Sequence, residues 1–404
     1  MWRRRSRPCR LGERAPATTD RHDGRSTTVA LSSVKDDLTQ AKKRVLILFG
    51  GRSSEHQVSC LSARSVLRVI DRDRYDVLPV GITREGRWVL TDGQIEPEPG
   101  EALPHVADDG STVSLIRTRK GPMLVRFDGD RYEEIGAVDV AFPVLHGPYG
   151  EDGTVQGFLA TVGVPYVGAD VTSSSVGIDK RAMKNAFKAR GLPQIPYLAI
   201  RRERWDTDRG EVLDDLEGAL DYPMFTKPAR QGSSIGITKA ADRSELEAGL
   251  DEAFTYDRSA IVEEGVRAPR ELEVGALGNR DVEITAPGEI VPSHEFYDFE
   301  AKYLDASELR IPAEVSDEIA RRMDEIARQA YLAIGCRGMA RIDFFLSDET
   351  GELYINEINT IPGFTPASMF PQLWEAEGLA YPELVDRLLD LALEAATSDE
   401  NYAP

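Results

Sequence analysis

Long apolar runs, cysteine and positive charge are all scarce in this sequence of 404 residues. No stretch of about 18 apolar residues occurs, so no segment is expected to span a membrane as a helix. The three cysteines, Cys9, Cys60 and Cys336, are widely separated and match no metal-ligand spacing, which is typical of a protein from the reducing cytoplasm. The formal charge of −20 disfavours nucleic acids and anionic membranes as partners, because binding them requires a basic surface.

The first 43 residues differ in composition from the rest. They contain 11 lysines or arginines against 5 acidic residues, and they show no periodic pattern. Without them the chain has 38 basic and 64 acidic residues, a formal charge of −26. No apolar segment suited to a secretory signal follows the arginines, and the acidic residues make an organellar transit peptide the weaker alternative. We interpret residues 1–43 as a disordered tail or an over-long start assignment.

Apolar strands and helical segments alternate through the rest of the chain, which predicts an α/β fold. Residues 45–49 form a continuous apolar strand closed by Gly50 and Gly51, and Ser53 or Ser54 is expected to cap the following helix. Such a turn is a common anion cradle, but every parallel sheet contains similar ones. The glutamate at position 55, in the first turn of this helix, is explained equally well by a ligand-binding role and by a favourable interaction with the helix dipole.

The same strand, glycine turn and helix pattern returns near His146, which follows an apolar strand. Ligands of α/β proteins bind at the carboxyl ends of strands, although a lone histidine is more often structural. Farther on, Lys227 leaves a strand and precedes a loop of glycines and serines, residues 232–236, that allows close approach of backbone N–H groups to phosphate. The lysine precedes the loop, so this is not a Walker P-loop. The alternative is a solvated turn with an exposed lysine.

The densest group of candidate ligands lies between residues 339 and 369. Two runs of alternating apolar and polar residues flank the turn sequence SDETG, which predicts a β-hairpin. In that hairpin Asp343 lies opposite Glu357, and Arg341 lies opposite Asn359, with all four side chains on one face. Carboxylate and amide oxygens suit Mg²⁺, whereas the alternative is a solvated strand face with two surface ion pairs.

Eight motifs, in order, resemble those of the D-alanine–D-alanine ligases of the ATP-grasp superfamily. They are GGRSSEHQVS, HGPYGEDGTVQGFL, DKRAMK, TKPARQGSSIGI, VEEGV, FYDFEAKY, RIDFF and INEINTIPGFTPASM, spread over residues 44–393. The resemblance implies a Rossmann-like N-terminal domain over residues 44–168 and a two-part ATP-grasp fold. The latter is expected as a central subdomain, 169–262, and a C-terminal domain with the hairpin, 263–397, before a short tail, 398–404.

The resemblance also implies a role for each matching residue. ATP-binding roles fall to Lys180, Lys227, Gly232, Ser234, Gly236, Glu263, Glu264, Val266 and Glu271. Two Mg²⁺ ions, or Mn²⁺ in their place, are expected on Asp343, Glu357 and Asn359. Catalytic roles are expected for Glu55, Ser233, Tyr303, Arg341 and Gly363, and substrate contacts for His146, Lys302, Ser368 and Met369. FYDFEAKY is expected to form part of a lid.

The implied activity is ATP-dependent joining of two D-alanines through a D-alanyl phosphate, by a cytoplasmic homodimer that supplies peptidoglycan synthesis. Two departures from the family pattern are an extra residue between Glu263 and Glu271, with Pro269 inserted, and Gln57 in place of the usual glutamate. One alternative is a ligase that joins D-alanine to D-lactate, which the AKY sequence disfavours. Another is a non-catalytic nucleotide-binding protein, which would be expected to lack the arginine or the metal ligands.

Overall fold

The computed structural model describes residues 42–97, 100–291 and 308–400. The predicted N-terminal tail up to residue 41 and the FYDFEAKY segment, with Lys302 and Tyr303, lie outside the described residues. In the described part of the chain, no helix is both long enough and apolar enough to cross a membrane.

The first sheet has seven strands and is mixed. Its order is β6-β5-β4-β3-β2-β1-β7, and β1 runs parallel to both β2 and β7. The strands are β1 (Lys43–Gly50), β2 (Tyr75–Ile82), β3 (Trp88–Leu90), β4 (Ser111–Thr118), β5 (Gly121–Asp128), β6 (Arg131–Ala137) and β7 (Val140–Pro143). Helices α1 (His56–Val69) and α2 (Thr154–Val162) belong to this part of the chain.

Strand β1 is buried on both faces, which explains its continuous apolar run. Val45 and Ile47 pack in one core cluster with residues of α1, whereas Leu46 and Leu48 pack in another with residues of α2. A strand covered on both sides has no polar face, so it shows no alternation.

The second sheet has four antiparallel strands in the order β10-β9-β11-β8. They are β8 (Tyr197–Arg201), β9 (Met224–Pro228), β10 (Thr238–Ala240) and β11 (Ser259–Glu264). Helices α5 (Arg202–Thr207), α6 (Arg209–Ala219) and α7 (Arg243–Tyr256) share its core cluster, which includes Trp205, Leu216 and Leu250.

The third sheet is antiparallel in the order β15-β14-β12-β16-β17, with β13 paired to β12. Its strands are β12 (Pro269–Gly278), β13 (Glu283–Ile284), β14 (Gly288–Val291), β15 (Glu308–Arg310), β16 (Gly338–Ser347) and β17 (Leu353–Asn359). The remaining helices are α3 (Val171–Ile178), α4 (Lys180–Ala189), α8 (Asp317–Ala333), α9 (Met369–Ala376) and α10 (Tyr381–Glu400).

Three local expectations differ from the structure. The sequence SAIVEEGVRAPRELEVGALGN predicts a strand pair joined by a short acidic loop, but its strands β11 and β12 belong to different sheets, where β11 pairs with β9 and β12 with β16. Helix α1 begins at His56 without a side-chain cap, and the Ser53 hydroxyl instead donates to the carbonyl of His146 at 2.7 Å. Helix α10 continues to Glu400, three residues past the expected end of the C-terminal domain.

Helix α4 belongs to the expected central subdomain, but its apolar residues pack against α8 and the third sheet and not against the four-stranded sheet. Met183 and Phe187 on this helix share a core cluster with Met323 of α8 and Ile342 of β16. The helix therefore presents Lys180 and Lys184 at the boundary between the second and third sheets.

Candidate active site

A cavity of about 470 Å³ opens between the second and third sheets. Eleven of the predicted ligand-binding residues line it, contributed by α4, β9, the glycine–serine loop, β11, the segment after it, β12 and the hairpin. They are Lys180, Lys227, Gly232, Ser233, Ser234, Glu263, Glu264, Val266, Glu271, Asp343 and Glu357. Gly236 is not a lining residue. Its backbone, at φ +69°, lies against Pro228 and Tyr256, where a Cβ would meet atoms at 2.8 and 2.6 Å.

Glu263 is the centre of a buried ion cluster on one wall of the cavity. Its carboxylate lies 2.8 Å from Lys184 Nζ and 2.5 Å from Lys227 Nζ. Burial would raise the pKa of Glu263, but the two lysines lower it to about 2. Burial lowers the pKa of Lys184, whose ammonium also lies 5.2 Å from the centre of the Tyr197 ring. The cluster holds the Lys227 side chain against this wall of the cavity.

Lys180 lies at the start of α4, at the boundary between the glycine–serine loop and the hairpin. The Asp179 carboxylate caps the helix by accepting from the N–H groups of Arg181 and Ala182. Lys180 Nζ donates to the carbonyl of Gln231 at 2.7 Å and lies 3.8 Å from the Glu357 carboxylate. In a protein with an overall negative charge, these buried lysines supply the local positive charge that an anionic ligand requires.

The glycine–serine loop reaches across to the first sheet. Ser233 and Ser234 adopt positive φ of 48° and 58°, and the Ser233 hydroxyl donates to the Glu55 carboxylate. A Cβ at Gly232 would lie 3.0 Å from Glu55 Oε2, and one at Gly147 would lie 2.6 Å from the same atom. The lack of a side chain at both positions lets backbone approach this carboxylate closely, and the positive φ of Gly147, +69°, also favours glycine there.

The hairpin of β16 and β17 has the predicted register. Arg341 pairs with Asn359 and Asp343 pairs with Glu357, and a β-bulge follows Asp343. Arg341 donates two hydrogen bonds to Asp343, from Nε at 2.8 Å and Nη2 at 2.6 Å. Its Nε also lies 2.9 Å from the Glu273 carboxylate. Burial would lower the pKa of Arg341, but Asp343 and Glu273 raise it well above its usual value.

The predicted metal ligands meet at one end of this cavity. Asp343 and Glu357 line the cavity, and Asn359 Nδ2 donates to Asp343 at 2.9 Å, so the amide oxygen remains for another contact. Within the described ranges no group of three or more His, Cys, Asp or Glu residues forms a metal cluster. Two carboxylates and an amide oxygen nevertheless fit hard cations that complete their coordination with substrate phosphates.

The loop after β17 brings the remaining predicted residues together. A Cβ at Gly363 would lie 2.7 Å from the Ser368 hydroxyl, so the two positions are in contact. Ser368 Oγ accepts from the N–H of Thr365 at 3.0 Å, and Met369 begins α9 directly after it. Backbone N–H groups at a helix start favour carboxylates.

His146 lies between this loop and α1, fully buried. Its Nδ1 is 3.1 Å from the Ile361 carbonyl and its Nε2 is 3.2 Å from the Ser62 hydroxyl. Burial lowers the pKa of His146, against the opposing effect of Glu55. Both ring nitrogens of His146 therefore already have protein partners, and its expected contact with the first amino acid stays a prediction.

Two family models match the chain consecutively. The model described as D-ala D-ala ligase N-terminus matches residues 44–169, and the one described as D-ala D-ala ligase C-terminus matches residues 186–390. This chain belongs to the D-alanine–D-alanine ligase family.

Curated relatives and solved structures agree with this family assignment. D-alanine–D-alanine ligases from Heliobacterium modesticaldum and Streptomyces avermitilis are each 47% identical, covering 87% and 88% of this chain and 95% of each relative. The structure of the ligase from Coxiella burnetii superposes with a TM-score of 0.75 at 30% identity, over 89% of this chain and 97% of that one. The VanG D-Ala:D-Ser ligase from Enterococcus faecalis gives 0.73 at 34% identity, over 87% and 99%.

Four polar residues beside this ligase-family site were missed from sequence. They are the buried Ser62, Lys184 and Glu273 and the half-buried Glu151. Lys184 could have been found, because it lies one helical turn after Lys180 and shares its face. Glu273 follows Glu271 by two positions on one strand, which also places the two on one face. No local pattern marks Ser62, whose partner Phe364 is 302 positions away.

Proposed function

We propose that this protein joins two molecules of D-alanine to give D-alanyl-D-alanine, converting ATP to ADP and phosphate, and so supplies peptidoglycan synthesis. The observation that carries the proposal is the meeting of three parts at one cavity. The lysine-bearing wall, the acidic hairpin and Ser233 border this cavity, and the Ser233 hydroxyl donates to Glu55, which follows the first sheet. Family membership supports the same conclusion.

In this proposal the nucleotide occupies the cavity between the second and third sheets. Lys180 and Lys227 bind its phosphates, and the loop containing Gly232, Ser234 and Gly236 covers them. Adenine and ribose lie against Glu263, Glu264, Val266 and Glu271. Glu271 lines the cavity although the chain has one extra residue before it, because β12 begins at Pro269 and carries Glu271 to the wall.

Two Mg²⁺ ions, or Mn²⁺, are proposed to be held by Asp343, Glu357 and Asn359. Such ions would neutralise the charge that develops on the phosphate groups during phosphoryl transfer. The described hairpin supplies only oxygen donors for them, which suits hard cations.

The reaction follows from the poor electrophilicity of a carboxylate. Glu55, oriented by Ser233, pairs with the ammonium of the first D-alanine. The carboxylate of this D-alanine attacks the γ-phosphorus of ATP, the bond from that phosphorus to ADP breaks, and ADP leaves as the acyl phosphate forms. The amine of the second D-alanine then attacks the acyl carbon, one proton leaves the nitrogen, and phosphate departs. Arg341 and the Gly363 N–H stabilise the oxyanion that forms.

The second D-alanine is held through its carboxylate by Ser368 and the backbone of Met369. Tyr303 is proposed to assist Glu55, Lys302 to contact the transferred phosphate, and His146 to border the first amino acid. The lid keeps water from the acyl phosphate, which would otherwise hydrolyse.

The proposed activity and its alternatives differ in the second substrate that the protein would accept. We would measure phosphate release and product formation with D-alanine, D-serine, D-lactate and L-alanine, near neutral pH. Dipeptide from D-alanine alone is expected to dominate. Use of D-lactate with D-alanine ignored as second substrate would overturn the proposal, and no turnover with any of them would favour a non-catalytic protein. D-serine is included because of the similarity to a D-Ala:D-Ser ligase.

We also propose a cytoplasmic homodimer with the domain limits given above. Family resemblance supports the dimer, and the free, buried thiols of Cys60 and Cys336 agree with a reducing compartment. Light scattering coupled to size exclusion would test the dimer, since a monomeric mass at micromolar concentration would contradict it.

A further inference from the structure

Three side chains from the first part of the chain, those of Ser62, His146 and Glu151, form hydrogen bonds with the backbone of the loop that contains Gly363. The N–H of Ile361 donates to Glu151 Oε1 at 3.3 Å, and the Ile361 carbonyl lies 3.1 Å from His146 Nδ1. On the other side of Gly363, the N–H of Phe364 donates to Ser62 Oγ at 3.2 Å. The backbone is therefore held at Ile361, two residues before Gly363, and at Phe364, directly after it, by side chains more than 200 residues away.

The hydrogen-bond directions in this network have one consistent assignment. A carbonyl can only accept, so His146 Nδ1 carries the proton that it donates to Ile361. Nε2 of the neutral ring then accepts from the Ser62 hydroxyl, 3.2 Å away. The Ser62 oxygen remains free to accept from Phe364. A protonated imidazole would present a donor at both nitrogens and leave the hydroxyl proton of Ser62 without this acceptor.

Glu151 connects the same loop to the glycine turn beside Glu55. One carboxylate oxygen accepts from Ile361, and the other accepts from the N–H of Gly147 at 2.7 Å. Gly147 lies against Glu55, the proposed partner of the first amino acid. One carboxylate thus sets the distance between the two backbone segments that flank the proposed reaction centre.

We propose that Ser62 and Glu151 are positioning residues that, through their bonds to Phe364 and Ile361, aim the Gly363 N–H at the oxyanion of the ligation step. This inference rests on the role proposed above for Gly363. A misplaced donor slows attack of the amine on the acyl phosphate, whereas ATP binding, which uses the other side of the cavity, is unaffected.

The test compares Ser62→Ala and Glu151→Gln with Ser65→Ala in the full-length protein. Ser65 lies on the same helix and is buried, but its hydroxyl donates within the helix to Leu61, so it is a matched control. Ser62→Ala removes a single atom and is expected to fold. Glutamine at position 151 can accept only one of the two N–H bonds.

Three readouts are expected to change together. Hydrogen–deuterium exchange of the segment from 358 to 370, without substrates, should be about fivefold faster, since one net hydrogen bond is worth about 1 kcal/mol. With ATP and D-alanine, kcat should fall about tenfold while the KM for ATP stays within about twofold. More phosphate should be released per dipeptide formed, because the acyl phosphate survives longer and is lost to water.

Unchanged exchange in folded Ser62→Ala and Glu151→Gln would overturn the proposal by showing that the loop is not held there. Faster exchange with a kcat and a phosphate-to-dipeptide ratio equal to those of Ser65→Ala would overturn the positioning role. Absence of dipeptide synthesis by the unmodified protein would instead refute the proposed function. The exchange measurement still reports on the loop in that case, so the two failures are distinguishable.

Discussion

The Ser233 hydroxyl donates a hydrogen bond to the Glu55 carboxylate, although 178 positions separate the two residues. Glu55 lies at the start of α1 beside the first sheet, and Ser233 lies in the loop after β9 of the second. This contact joins the proposed amino-acid site to the proposed phosphate site. Both side chains gain a defined orientation from it.

Replacing Ser233 by alanine should raise the KM for the first D-alanine about tenfold, because Glu55 loses the donor that orients it. The KM for ATP should change little. Glu55→Gln should have a larger effect, because it also removes the charge proposed to pair with the ammonium. The double variant should be no worse than Glu55→Gln, since Ser233 acts through Glu55. Steady-state kinetics with varied D-alanine would check this, and additive losses would contradict the coupling.

Glu357→Gln should reduce turnover at least about 100-fold, because a neutral amide is a weaker ligand for Mg²⁺ and neighbours Lys180 without opposing its charge. Glu352→Gln is a matched control, since Glu352 is an exposed residue just before the same strand. Phosphate release would be measured while Mg²⁺ is titrated. Turnover equal to that of the control at every Mg²⁺ concentration would count against the metal assignment.

Arg341→Lys should lower kcat by about 10²- to 10³-fold through loss of an oxyanion donor. Lysine keeps the charge but cannot reproduce the two bonds to Asp343. ATP binding, followed by calorimetry, should be retained within a few fold. A kcat close to that of the unmodified protein would show that the guanidinium is not required for the ligation step.

Lys184→Met should destabilise the fold by about 2 kcal/mol, because Glu263 loses one of its two buried cationic partners. It should also weaken ATP binding, since Lys227 is then bound more tightly to Glu263. Lys188→Met, one turn farther along α4 and exposed, is the control. Denaturant unfolding and ATP calorimetry would detect both effects, and equal stability of the two variants would refute the structural role.

Glu263→Gln should lower the free energy of unfolding by about 3–5 kcal/mol near neutral pH, because two buried lysines lose their counter-charge. The folded-state pKa of Glu263, about 2, lies below its ordinary 4.5. The carboxylate therefore stabilises the fold above pH 4.5, and that contribution is lost as pH falls from 4.5 towards 2. The difference in unfolding free energy between the unmodified protein and the variant should shrink over this range. A constant difference would contradict the pKa assignment.

Local sequence patterns were sufficient to predict the β16–β17 hairpin and strand β1, which is buried on both faces. Alternation around SDETG identified strands β16 and β17 with the pairing of Asp343 and Glu357, since a register depends on nearby residues. The run at 45–49 identified β1 because double burial removes polar positions. The pairing expected between β11 and β12 was wrong, because an apolar strand next to another in sequence carries no signal for the sheet that it joins.

By itself, the sequence determined which residue types are present at each strand end and loop, and, through eight ordered motifs, the family. Only the tertiary structure decided which of them meet. The contact between Ser233 and Glu55, the cluster of Lys184, Glu263 and Lys227, and the bond from Phe364 to Ser62 join distant segments. Such contacts depend on how separate sheets pack, and packing depends on the whole buried surface, so no short stretch of sequence encodes it.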